Sequence, residues 1–290
     1  MTKRTVVVGV DGSPAALAAA RYALWRAQLS GLDLVVVHAY AIPALQEPLS
    51  EDFTAGVRDD ARAVLDRVVA LLDVPPDVGV RTILQPSSPA LLLRAAAATA
   101  QVVVIGRGGD GWLERHLSRN LVHSLCTNVT CPVVVVPVGW QPTAEPSRPV
   151  VVALQGDLPS AASLQITFEE ADLRGTAVLA LHAMPANAYP RELAAHDRNL
   201  SELLAGSKQD YPQVPVSVQT VAGEPSQALI DASPDAGLIV VTFPHASRIG
   251  AWTWSVARGV LGRAGCPVAV VPRAAEVSAQ HTGREALAGR

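Results

Sequence analysis

The chain is written twice. The run Val6-Val7-Val8-Gly9-Val10-Asp11-Gly12, a helical pattern and then Leu34-Val35-Val36-Val37-His38-Ala39 recur without a gap as Val150 to Gly156, a similar pattern and Val178-Leu179-Ala180-Leu181-His182-Ala183. The offset is constant, since 155 less 11 and 182 less 38 both give 144. Each copy closes on Cys-Pro and an apolar run, Cys131-Pro132 before Val133–Val136 and Cys266-Pro267 before Val268–Val271. A sequence repeated at this period folds into two related domains, and a difference between the copies then carries information about function. The expected division is domain 1 over 1–139, a linker over 140–147, domain 2 over 148–273 and a flexible tail over 274–290. The linker rests on the spaced prolines Pro142, Pro146 and Pro149, which continue neither a helix nor a central strand.

At 290 residues, 49% hydrophobic and 17% charged, the chain is long enough for two buried cores. A net charge of −3 with no basic block gives no footing for nucleic acid or a membrane surface. Lys3 and Arg4 precede an apolar run as in a secretory leader, but Asp11 interrupts it and no small-residue cleavage site follows, so a first strand and a cytoplasmic location are expected. Three cysteines are too few for a disulfide framework, and Cys126 with Cys131 does not make a metal-ligand cluster.

In the first copy, apolar runs of strand length sit near 5–10, 33–38, 79–84, 102–105 and 133–136, with helical patterns in four of the gaps. The second copy repeats them near 149–154, 177–182, 215–220, 237–241 and 268–271. Runs without polar alternation, separated by helices, mark a parallel sheet covered on both faces, so each copy reads as α/β. Ser13 and Pro14 give the first helix its cap and first residue, with Leu17, Ala20, Leu24 and Ala27 on one face. A longer helix carries Val57, Ala61, Val64, Val68 and Leu71 as its apolar stripe.

Two loops could carry chemistry. In Gly9-Val10-Asp11-Gly12-Ser13, a carboxylate at the carboxyl end of a strand can accept from a ribose or an amine, and Gly12 permits a tight turn. Ile105-Gly106-Arg107-Gly108-Gly109-Asp110-Gly111 follows the fourth strand, where successive N–H groups can form an anion-binding nest. Its literal GxGxxG is no dinucleotide fingerprint, because that motif belongs after the first strand with an acidic residue ~20 positions on. His38 and His182 end equivalent strands and read as structural. No Walker A, His-x-x-His or Gly-x-Ser-x-Gly motif occurs, so no catalytic base is nominated.

The arrangement resembles the universal stress protein family in its tandem form, over about 270 of the 290 residues. The family's nucleotide-binding branch carries Gly-x2-Gly-x9-Gly-Ser/Thr after strand four. Here Gly106-x2-Gly109 matches, Arg119-Asn120 takes the place of Gly-Ser, and Cys131-Pro132-Val133 falls at the family spacing. The resemblance implies two domains, each an open five-stranded parallel sheet in order 3-2-1-4-5 with helices on both faces. It further implies that Gly9 and Asp11 meet the adenosine of ATP and the backbone around His38-Ala39 the base. Gly106, Arg107, Gly108 and Gly109, with Asn120 and Leu121, would meet the phosphates. Arg119 either blocks a phosphate or pairs with it.

Domain 2 departs further, with Gln155 for Asp11, a helix cap moved to Asp157, Thr242-Phe243-Pro244-His245 in place of the glycine loop and Trp254-Ser255 at the Gly-Ser position. An indole there would fill the pocket, so a nucleotide is expected in domain 1 only. The function expected is stress-response regulation by a bound adenine nucleotide. The alternatives are an interaction module that binds no nucleotide and, at most, a weak ATPase. Magnesium could accompany ATP, but no ligand for it is assigned. An unidentified protein partner is expected, and a homodimer is left open.

Overall fold

A computed structural model describes residues 4–42, 50–108, 112–142, 148–154, 161–184, 204–243 and 248–272, with the backbone alone for 112–119, 184 and 248–255. The chain divides into two compact units, Met1–Pro142 and Thr143–Arg290. The expected linker residues 143–147 and the tail 274–290 lie outside the described residues.

Unit 1 runs β1 (Thr5–Gly9), α1 (Pro14–Ser30), β2 (Asp33–Tyr40), α2 (Glu51–Ala70), β3 (Val80–Pro86), α3 (Pro89–Ala97), β4 (Ala100–Arg107), α4 (Trp112–Asn128) and β5 (Val133–Pro137). All its strand pairs are parallel: β3 with β2, β2 with β1, β1 with β4 and β4 with β5. That is the order 3-2-1-4-5. The chain winds outward from β1 through β2 to β3, then returns through α3 to β4 beside β1 and on to β5; the right-handedness usual for such crossovers puts the helices of the two windings on opposite faces. Accordingly α1 covers β1, β4 and β5, whereas α3 packs on β1, β2 and β4 and against α4. The central strands are buried on both faces, which is why they read as unbroken valine; Val6 and Val8 are wholly inaccessible.

Unit 2 repeats this with β6 (Val150–Leu154), α5 (Ala161–Arg174), β7 (Val178–Met184), a helix α6 described over 204–210, β8 (Val216–Ala222), α7 (Pro225–Ala232), β9 (Leu238–Thr242), α8 (Arg248–Arg263) and β10 (Val268–Val271). Its pairs are again all parallel, β8 with β7, β7 with β6, β6 with β9 and β9 with β10. The duplication extends to the caps. Gly31 and Gly175, 144 positions apart, both adopt φ 62° and close α1 and α5 with the same pair of backbone bonds, as a left-handed cap demands.

Helix α1 begins where Ser13 and Pro14 predict, with Ser13 Oγ accepting from the Ala16 amide at 3.1 Å. It is buried almost all round rather than along one stripe, and Leu17 is only half-buried. In α2 the inward residues are Ala61, Leu65 and Val68; Val57 and Val64 are half-buried, and Leu71 is 52% exposed. The expected stripe was too long at its end, because the helix stops at Ala70 and Leu71 turns away as its cap.

An aromatic cluster leaves no trace in the apolar pattern. Trp140, three residues beyond β5, lies edge-on to Tyr22 of α1 with centroids 5.0 Å apart and 5.8 Å from Trp25.

Cys126, Cys131 and Cys266 are free and buried. Burial, and secondarily the neighbouring Cys131, pushes the Cys126 thiol far up. Burial likewise pushes Cys131 up to about 11, against a smaller pull from backbone amides and Arg4. A thiol held above its unfolded value of ~8.5 contributes stability below that pH and loses it as pH climbs toward the folded value. Native protein at pH 8 is therefore expected to give no carbamidomethyl adducts with iodoacetamide, and three per chain in urea. Native labelling of Cys126 would contradict this burial.

Candidate functional site

Gly9, Asp11, Ala39, Gly106, Arg107 and Gly108 all lie at the carboxyl edge of the unit 1 sheet, at the ends of three adjacent strands or just beyond them. Strands β1 and β4 are neighbours, with Val8 opposite Val104, and the winding reverses between them. That is where open α/β sheets leave a crevice for ligands. Asn120, exposed, and Leu121, half-buried, lie on α4 about 12 Å along its axis from Trp112 at 1.5 Å per residue. Gly109 and the Arg119 side chain lie outside the described residues.

Asp11 is exposed, and its Oδ1 accepts the Ser13 amide at 3.0 Å. This bond folds the turn back on itself, and Gly12 at φ +82° supplies a conformation that side chains resist. Among the described residues nothing engages the second carboxylate oxygen, so the turn presents one fixed acceptor.

Ala39 offers a donor and an acceptor together. Along a parallel strand, alternate residues aim both backbone groups at opposite neighbours. The Tyr40 carbonyl faces β3, taking the Ser87 amide at 3.1 Å, and the Val37 carbonyl faces β1, taking the Val10 amide at 3.0 Å. The Ala39 N–H and C=O therefore face the β1 side, where β1 has already ended at Gly9. The carbonyl that would have met the Ala39 amide, that of Val10, is instead 2.7 Å from Nδ1 of His38.

Gly106 has a packing role that spacing alone did not reveal. A Cβ there would lie 2.8 Å from the Ala16 amide nitrogen and closer still to the Ala15 carbonyl. Only glycine lets the first turn of α1 seat against the end of β4. In unit 2 the register that sets Val8 against Val104 sets Val152 against Val240, so Thr242 stands where Gly106 does. Its hydroxyl meets that of Ser163 at 2.6 Å, so a side-chain hydrogen bond joins the end of β9 to α5. Glycine against threonine in otherwise matched strands was the available signal. Gln155, Asp157 and Pro244–Ser247, together with the side chains of Trp254 and Ser255, lie outside the described residues.

His182 repeats the His38 contact, with Nδ1 3.2 Å from the Leu154 carbonyl. Among the described residues no group of three or more His, Cys, Asp or Glu could hold a metal ion, and no helix is long and apolar enough to cross a membrane.

The sequence model of the universal stress protein family matches residues 3–137 and again 146–272. The chain belongs to that family. A universal stress protein of Mycobacterium tuberculosis is 31% identical over 282 aligned residues, spanning 91% of this chain and 96% of the relative. One from Mycolicibacterium smegmatis is 29% identical over 286, spanning 93% and 97%. Among solved structures, a universal stress protein from Archaeoglobus fulgidus superposes with a TM-score of 0.68 at 15% identity, over 93% of this chain and 96% of that one, a likeness of fold. A second structure from the same organism, a universal stress protein in complex with dAMP, aligns over 43% of this chain and 97% of its own at 27% identity, with a TM-score of 0.36. As a tandem universal stress protein, the chain carries two versions of one switch-point edge: β1 stops short beside an exposed Asp11, and β9 ends in a threonine bonded to α5.

Proposed function

We propose that this universal stress protein binds an adenine nucleotide, ATP foremost, at the carboxyl edge of unit 1 alone, and that the nucleotide regulates the protein in stress instead of being consumed. The observation that supports this is the donor and acceptor of Ala39, which face the β1 side of the crevice beyond the point where β1 ends and the Asp11 turn begins. An adenine presents an acceptor and a donor side by side, complementary to one strand residue, and a ribose hydroxyl could donate to the open oxygen of Asp11. Gly9 would lie under the adenosine. Backbone N–H groups from Gly106 through Arg107 and Gly108 to Gly109, with the Asn120 amide and the Leu121 backbone, would take the phosphates. Thr242 with Ser163, and Gln155 and Trp254 by sequence, support an empty unit 2. Regulation requires that ATP bind two states of the protein unequally, since equal affinity shifts nothing.

Calorimetric titration of the whole chain with ATP is expected to show one site. Asp11→Asn keeps the oxygen that holds the Ser13 amide and replaces the ribose acceptor, so affinity should fall about 10-fold or more, as for loss of a hydrogen bond to a charged group. No heat with ATP, or two equal sites, would overturn the reading. The same titration with Arg119→Gly decides between steric block, which predicts tighter binding, and ion pairing, which predicts weaker.

One observation favours a second reading, an interaction module without nucleotide: the packing of α1 accounts for Gly106 without any phosphate. Native mass spectrometry of purified protein separates the two, since an adenine nucleotide lost on denaturation excludes the module.

A further inference from the structure

We infer that His38 is a positioning residue which ends the β1–β2 ladder one rung early and so keeps the Ala39 amide open to a ligand. In unit 1 the ladder closes with Gly9 opposite Val37 and the Val10 amide on the Val37 carbonyl. The next rung would carry the Ala39 amide to the Val10 carbonyl. That carbonyl accepts the His38 ring at 2.7 Å instead, and because a carbonyl can only accept, Nδ1 carries the proton.

Unit 2 supplies the comparison within one chain. There the ladder runs one residue further, with Leu154 registered against His182. In a parallel pair, that registration brings the Ala183 amide onto the Leu154 carbonyl. The His182 ring stands off at 3.2 Å from the same oxygen. The two copies thus share the histidine and differ in which group, ring or backbone amide, holds the carbonyl closely. The closer ring in unit 1 leaves a main-chain donor at the crevice; the longer ladder in unit 2 consumes its counterpart.

The inference deepens the nucleotide reading, but its first test does not depend on it. Amide hydrogen exchange of the full chain, read by NMR without nucleotide, should find Ala183 protected at least about 100-fold more than Ala39, since a ladder amide exchanges only when its bond opens. In His38→Ala the missing rung can close, so Ala39 exchange should slow by about 10-fold or more. His38→Asn, which can place an amide N–H near the position of Nδ1, should restore the wild-type rate. His38→Phe, which fills the ring's volume without a donor, should behave as His38→Ala does and serves if that variant does not fold. Ala39 already protected in the wild type, or unchanged in both donor-free variants, would overturn the inference. ATP titration of the same proteins is the second arm: affinity should fall about 5- to 10-fold in His38→Ala, the worth of one hydrogen bond, and stay unchanged in His182→Ala. Wild-type protein that shows the expected exchange yet binds no ATP sinks the nucleotide reading and leaves the role of His38 in the ladder standing. ATP bound equally by wild type and His38→Ala overturns the positioning role.

Discussion

Glu170→Ala is expected to destabilise the protein by about 3–5 kcal/mol, the usual consequence of removing one partner from a buried ion pair. Oε2 of Glu170 accepts from Nε and the NH2 nitrogen of Arg174 at 3.1 and 3.0 Å, with the two side chains only 11% and 7% exposed. The same guanidinium donates from its NH1 nitrogen to the Gly237 carbonyl at 3.1 Å. Gly237 in turn donates its amide to Pro149, and Thr176 donates its hydroxyl to Arg148, so the beginnings of β6, β7 and β9 converge on this point. Without the carboxylate, the guanidinium stays buried and loses both of these charge-assisted bonds. Urea unfolding should show the midpoint moved at constant slope. The double variant Glu170→Leu with Arg174→Met should recover most of the loss, because an apolar pair of similar volume carries no desolvation penalty. A loss below about 1 kcal/mol in the single variant would mean the pair behaves as a solvated surface bridge.

Gly106→Ala should cost about 1–3 kcal/mol or more, at the upper end for overpacking, since the added carbon meets backbone that cannot rotate aside. The obstacle is the Ala15 carbonyl in the first turn of α1, whose displacement would carry the Ser13 cap and the Asp11 turn with it. Loss of stability should therefore be accompanied by loss of ATP binding. Gly56→Ala makes the control: Gly56 lies within α2 with nothing within 4 Å of an added Cβ, so it should stabilise by about 0.5–1 kcal/mol. Thermal melts and ATP titrations of both variants decide the matter. Gly106→Ala with wild-type stability would show that α1 does not seat on β4 as described.

The fold was legible because its signals are local. Strands buried on both faces must be apolar throughout, so Val6–Val8 and Val133–Val136 announce a covered parallel sheet, and Ser13-Pro14 announces a helix start through backbone groups that need partners. Repetition at one offset then assigned the second half from the first. The pattern failed where the cause is tertiary. Leu71 turns outward because the helix ends at Ala70, and Trp140 reads as part of a linker because nothing nearby in sequence shows that Tyr22 and Trp25 lie beside it. At the site, the residue types were readable and their tasks were not. A glycine that admits a phosphate and a glycine that admits a helix are the same letter, and only the Ala15 carbonyl beside Gly106 tells which demand is met. The two histidines read from sequence as structural residues at equivalent strand ends, but which carbonyl each meets, and what that withholds from the ladder, depends on a difference of one rung.

The position of Trp140 governs how the front half can be handled by itself. A fragment cut directly after β5 would strip the indole from Tyr22 and Trp25 and turn a dry face of α1 outward, an invitation to self-association that the intact chain does not extend. Dissection should carry the polypeptide through Pro142, and the same indole then becomes a built-in fluorophore reporting on whether the first helix is seated.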